Sequence, residues 1–200
     1  MKQAKTLNNK QLLVFFKQLE AFKNAQRNKL VVCLTFYGGL RIGEVTKLKW
    51  SDVVDANLTV KDEIVLSAAD NKSNEVQRLF INKKLRAEII DYKNYYSQKI
   101  GNLNLTLPLI LTQRNTQFSP NSLCQLINSL YKRCNLPTAT THSGRRSFIT
   151  NLANKSLNAK VIMSLARHKN LSTTQKYIDV NDEQLKRAIE LVWFYIYFLE

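Results

Sequence analysis

The chain of 200 residues holds two histidines, and each sits in a short basic segment. In "THSGRRSFITNLANKS" (141–156), Arg145 follows His142 by three positions, with Arg146 next to it. Residues i and i+3 share a helix face, so imidazole and guanidinium would point the same way. Alone, such a pair is more often a solvated surface feature than a site. In "RHKNLSTTQKY" (167–177), Tyr177 stands nine positions after His168. Two more cations stand out. Arg41 emerges after Gly38-Gly39-Leu40 at the end of an apolar run, and Lys72 lies in a polar stretch between two β-rich runs. A charge leaving an apolar helix is costly to bury unless paired. Arg41 therefore either forms a surface ion pair with Glu44 at i+3, or enters a cleft to meet an outside anion while Glu44 orients it. A turn lysine is ordinarily just solvated.

Taken together, two imidazoles, two arginines, a turn lysine and a late tyrosine are what attack on a phosphodiester needs. Tyrosine is a poor nucleophile at its free pKa of about 10, so it must be held in line and lose its proton during attack. Negative charge gathers on the non-bridging oxygens of the transition state, and planar guanidinium forks can stabilise it as it develops. Imidazoles can donate directional hydrogen bonds or take a proton near neutral pH. The departing oxygen needs a proton, which a mobile lysine can deliver.

Local patterns predict the elements that must position these groups. "NNKQLLVFFKQLEAF" carries Leu12, Leu13, Phe15, Phe16, Leu19 and Phe22 as a helical stripe, with Asn8 or Asn9 as cap. "KLVVCLTFYGGL" is apolar nearly all round, a buried helix ending at Gly38-Gly39. A short helical segment, "RIGEVTKLKW", follows. From 58 to 82 the pattern turns to β, with "LTVKDEIVLSA" and "VQRLFI" joined by the polar turn "ADNKSNE". Helical periodicity returns in "KKLRAEIIDYKNYY" and in "SPNSLCQLINSLYKRC", where Ser119 and Pro120 are N-cap and N1. Ser172 and Gln175 have capping-box spacing, so a short helix is expected after Ser172, with Tyr177 near its end on the face of Thr173 and Thr174. The expected fold is mainly α with a small antiparallel β-sheet insert.

Composition narrows the partners. Thirty Lys and Arg against fifteen Asp and Glu give a formal net charge of +15, which points to a polyanion, nucleic acid first. Cys33, Cys124 and Cys134 show no CxxC spacing and read as reduced structural thiols of a cytosolic protein, with no metal site expected. The N-terminus has no signal-peptide apolar region, and the run Leu191–Leu199 is too short to span a bilayer, so no membrane partner is expected.

On "GGLRIGE", "HSGRR" and "RHKNLSTTQKY", together with the turn lysine, the chain resembles the catalytic domain of tyrosine recombinases, the phage-integrase family, from about residue 8 to 190. The resemblance implies that Tyr177 attacks a DNA phosphate to form a 3′-phosphotyrosyl link. It makes Arg41 and Arg145 the phosphate clamp, Lys72 the general acid, His142 an aid to proton transfer at the nucleophile, and His168 a hydrogen-bond donor to a phosphate oxygen. Neither metal, cofactor nor ATP is implied. The implied partner is a double-stranded DNA recombination site, engaged by a homo-tetramer on two sites, in the cytoplasm and nucleoid-associated when bound. A DNA-binding accessory protein and a type IB topoisomerase-like enzyme are the alternatives. Arg146, Arg167, Lys169 and Lys176 are candidate DNA contacts; Arg167 stands where family members often have glycine.

The expected organisation is a catalytic domain over 1–180 and a helical tail over 181–200. The tail, capped by Asn181, either packs on its own core or is exchanged between protomers. Few residues precede the first helix, so no N-terminal core-binding domain is expected. The chain is then an excised domain or a short member similar in length to fimbrial-switch invertases.

Overall fold

A computed structural model describes residues 5–68, 75–99, 101–155, 157–178, 185–186 and 189–190. Its chain falls into two compact units, Met1–Phe148 and Ile149–Glu200.

The first unit opens with α1 (Asn9–Leu19), capped by Asn8. The Asn8 side chain accepts the Gln11 amide at 2.8 Å, and the Gln11 side chain accepts the Asn8 amide at 3.0 Å. This reciprocal box satisfies two backbone donors that a helix start otherwise leaves open. Leu12, Phe15, Phe16 and Leu19 face inward, but Leu13 does not: it falls off the i, i+3, i+4, i+7 stripe and is exposed. Then comes α2 (Ala25–Phe36), buried along most of its length as its composition predicts. The short turns α3 (Ile42–Val45) and α4 (Trp50–Val53) split what the sequence suggested as one helical segment.

Strands β1 (Glu63–Leu66) and β2 (Gln77–Phe80) form the expected antiparallel sheet, with Ile64 opposite Leu79 and Glu63 opposite Phe80. Alternation sends Ile64, Leu66 and Leu79 to the core. On the outer face, Arg78 forks onto the Glu63 carboxylate at 2.7 and 2.9 Å. The long helix α5 (Lys83–Lys99) packs on α2 and α6 (Pro120–Arg133) packs on α3, with Ser119 capping α6 as its Ser-Pro start predicts. The aromatic centre joins Trp50 and Tyr92, stacked at 5.6 Å, to Tyr96 set edge-on to Trp50. Phe15 packs on Tyr131 at 4.9 Å. Burial pushes the hydroxyls of Tyr92 and Tyr131 well above the usual tyrosine range, so both stay neutral core residues.

The sequence gives no hint of Arg27, a buried arginine. Its guanidinium donates to the Leu111 carbonyl and the Asn28 side chain and lies over the Phe118 ring at 5.2 Å. Charge buried this way is tolerated because its donors are used.

Helix α7 (Thr141–Ala153) crosses the boundary between the two units. Within the first unit, Gly144 lies flat against α2. A Cβ there would collide with the Thr35 hydroxyl and come within 2.9 Å of the Thr35 Cβ. The second unit contains α8 (Ala159–Ala166), capped by Asn158, and α9 (Leu171–Gln175) packed on it. No helix among the described residues is long and apolar enough to cross a membrane.

Gly144→Ala should lower unfolding stability by about 1–3 kcal/mol through overpacking, measured by urea denaturation. Adding Thr35→Ala should recover part of that loss. Full stability of the single variant would contradict the contact.

Candidate active site

Arg41 sits at the start of α3, in extended backbone (φ −79°, ψ 151°). Glu44 holds it there: its carboxylate accepts the Arg41 amide at 2.8 Å and an Arg41 Nη1 hydrogen at 2.6 Å. The two ends of the pair differ in exposure. The Glu44 side chain is 4% exposed and the Arg41 side chain 35%. Of the two alternatives the sequence left open, the geometry shows the ion pair, which anchors the arginine from its buried side.

Arg145, on α7, is 8% exposed, and its Nη1 donates to the Gly39 carbonyl across 106 residues of chain. That bond sets Arg145 against the turn two residues before Arg41. Gly39 makes the turn possible. Its φ of +64° is left-handed, and a Cβ there would run into the Phe148 ring. The two arginine segments predicted from sequence are thus brought together by a main-chain carbonyl.

His142 lies in the first turn of α7 and is exposed. The helix start is fixed around it: the Thr140 hydroxyl accepts the His142 amide at 3.3 Å and the Ser143 hydroxyl accepts the Thr140 amide at 3.0 Å. Asn128 accepts the Thr141 amide at 3.1 Å. His142 stands three positions before Arg145 on the same helix, but the histidine is exposed and the arginine nearly buried. Arg146 is half-buried. Lys72 lies outside the described residues, between the ends of β1 and β2.

In the second unit, α8 ends at Arg167, whose backbone is left-handed (φ 55°, ψ 47°). The Arg167 amide returns to Ser164 and the His168 amide to Met163, closing the helix end. This conformation costs a side-chain-bearing residue about 1–2 kcal/mol more than the right-handed one, which explains why glycine suits the position. Of the candidate DNA contacts in this segment, Arg167 is 6% exposed, whereas Lys169 and Lys176 are exposed.

The turn delivers His168 to α9. Its Nδ1 lies 2.9 Å from the Thr174 hydroxyl. Tyr177 follows the helix end, its amide donating to the Thr174 carbonyl at 2.9 Å, and its ring centroid is 6.2 Å from that of His168 with planes 28° apart. The predicted start of this helix is corrected. It begins at Leu171, two residues after Lys169, because extended Asn170 (φ −118°, ψ 136°) already occupies the cap position and its carbonyl accepts the Thr173 amide. Ser172 is therefore an exposed helical residue, not a cap. Thr174 was placed on the tyrosine's helix face by its spacing, but not as the partner of His168; only the turn between α8 and α9 makes that contact. Most of the tail, 181–184, 187–188 and 191–200, lies outside the described residues, as does the choice between packing and exchange.

A sequence profile of the Phage integrase family matches residues 5–184, and the chain belongs to that family. It is 29% identical over 174 residues to "Tyrosine recombinase XerA" of Pyrococcus horikoshii, a match covering 87% of this chain and 58% of that protein. It is 26% identical over 191 residues to "Transposase A from transposon Tn554" of Staphylococcus aureus, covering 92% of this chain and 51% of the other. Its fold is that of the crystal structure of XerA recombinase (TM-score 0.71, 20% identity, 95% of this chain and 66% of that one). It is likewise similar to the Tn1549 transposon integrase in complex with circular intermediate DNA (TM-score 0.70, 19% identity, 96% and 68%). The chain spans between half and three-fifths of the length of the two curated relatives.

Glu44→Ala should lower unfolding stability by about 1–3 kcal/mol, the range for hydrogen bonds to charged groups, and Glu44→Gln by less, since an amide oxygen still accepts one bond. A loss below about 0.5 kcal/mol for Glu44→Ala would show that Arg41 is not anchored this way.

Proposed function

We propose that the chain is the catalytic part of a site-specific DNA recombinase that cleaves and rejoins DNA through Tyr177. The observation that carries this reading is the pair of arginine segments joined at Gly39, with Arg41 part-exposed and anchored from behind by Glu44. Membership of the Phage integrase family supports it, as does the +15 charge.

In this mechanism Arg41 and Arg145 bind the non-bridging oxygens of the scissile phosphate and stabilise their growing charge. The Tyr177 oxygen attacks phosphorus as its proton leaves, with His142 assisting the transfer. The bond from phosphorus to the 5′-oxygen breaks, and Lys72 supplies the proton that makes a free 5′-hydroxyl. His168 donates a hydrogen bond to a phosphate oxygen. The product is a 3′-phosphotyrosyl ester of energy similar to the diester it replaces, so a 5′-hydroxyl from the partner strand reverses the reaction without ATP or a metal. Arg146, Lys169 and Lys176 contact the flanking backbone, where positive charge positions DNA without reading sequence. Residues 1–180 form the catalytic domain, and strand exchange engages four protomers on two duplex sites, with the 181–200 tail passing between neighbours.

Incubation with a library of nicked duplexes of randomised sequence should yield a covalent protein–DNA adduct stable to denaturing detergent. Tyr177→Phe should bind the same duplexes and form none, and Arg145→Ala should slow adduct formation by about 10²–10³-fold, the usual cost of removing a transition-state donor. An adduct formed by Tyr177→Phe, or salt-sensitive binding that never becomes covalent in the parent chain, would overturn the proposal, the latter in favour of an accessory DNA-binding role.

A further inference from the structure

We infer that Thr174 is a positioning residue that sets which nitrogen of His168 carries the proton, so that Nε2 always presents an N–H. The Thr174 side chain is 0% exposed, and a buried hydroxyl hydrogen must find an acceptor. Among the described residues its hydroxyl has one partner, His168 Nδ1 at 2.9 Å. The hydroxyl therefore donates and Nδ1 accepts. A neutral imidazole has one N–H and one bare nitrogen, so the proton is placed on Nε2. When the ring is charged both nitrogens carry hydrogens, and the hydroxyl turns to accept from Nδ1 at the cost of its own hydrogen's acceptor. In either state Nε2 remains a donor, which is what a phosphate oxygen, itself only an acceptor, requires.

The same residue also holds the nucleophile segment. Its carbonyl accepts the Tyr177 amide at 2.9 Å, and the His168 and Tyr177 rings lie 28° from parallel with centroids 6.2 Å apart. One threonine thus ties the imidazole by its side chain and the tyrosine by its main chain. Substitution of the side chain separates the two roles. Valine keeps the shape and the main-chain bond but removes the hydroxyl, and serine keeps the hydroxyl. The functional half of this inference rests on the reading of His168 as a donor to DNA phosphate; the tautomer itself does not.

The test begins with long-range proton–nitrogen correlation spectra of the nitrogen-15-labelled chain at about pH 8, above the usual histidine range. His168→Asn identifies the His168 signals. His168 should be the Nε2–H tautomer with Nδ1 as a hydrogen-bonded acceptor, Thr174→Ser should retain that pattern, and Thr174→Val should lose the acceptor shift at Nδ1. An Nδ1–H tautomer in the parent, or an unchanged His168 pattern in Thr174→Val, would overturn the inference whatever the protein does to DNA. In the adduct assay, Thr174→Val should slow covalent capture roughly tenfold, the scale of one net hydrogen bond, with DNA affinity retained and Thr174→Ser restoring the rate. Equal rates for Thr174→Val and parent would overturn the functional half. Absence of any adduct from the parent would count against the proposed reaction and leave the tautomer result standing on its own.

Discussion

The bond from the Arg145 guanidinium to the Gly39 carbonyl is the constraint on which the first unit's site depends. A nearly buried guanidinium is stable only when its donors are used, so the carbonyl must be presented to it. That presentation requires the chain to turn left-handed at Gly39. The same turn ends the run of α2 and sends the backbone into extended Arg41 and then α3. The small residue Gly144 lets α7 approach α2 closely enough for Arg145 to reach across. One hydrogen bond therefore links two glycines, two arginines and three helices.

Each unit holds its candidate residues by hydrogen bonds of its own: Glu44 holds Arg41 and the Gly39 carbonyl holds Arg145 in the first, and the Thr174 hydroxyl holds the His168 ring in the second. In the proposed reaction, groups held in advance need less reorganisation when an anion arrives. His142 differs: its side chain is exposed and its helix start is fixed by Thr140, Ser143 and Asn128. Backbone capping places it, while its imidazole remains free to move a proton in the proposed reaction.

Local chemistry was legible in the sequence. The Asn8 cap, the Leu12–Phe15–Phe16–Leu19 stripe, the Ser119-Pro120 start and the two β-strands all follow from patterns within a few residues. Leu13 was misplaced because an apolar residue beside the stripe has the same composition as one on it. Ser172 was misread as a cap because spacing alone cannot tell which of Asn170 and Ser172 leaves helical backbone first. Long-range choices were not legible at all. Nothing near Arg27 in sequence announces that its guanidinium will meet Leu111, nothing near Gly144 announces Thr35, and the partnership of His168 with Thr174 needs the turn at Arg167. Residue type and order nominated the candidates; the way Arg41, Arg145 and His168 are held could not be read from them.

The most direct measurement of the central claim is the identity of the bond joining protein to DNA. Covalent complexes captured on nicked duplexes would be digested with protease and nuclease, and the linked peptide sequenced by mass spectrometry. The account predicts a single phosphodiester joining the Tyr177 oxygen to a DNA 3′ end, with the 5′ end released as a hydroxyl. Linkage through any other residue, or through a 5′-phosphate, would contradict it.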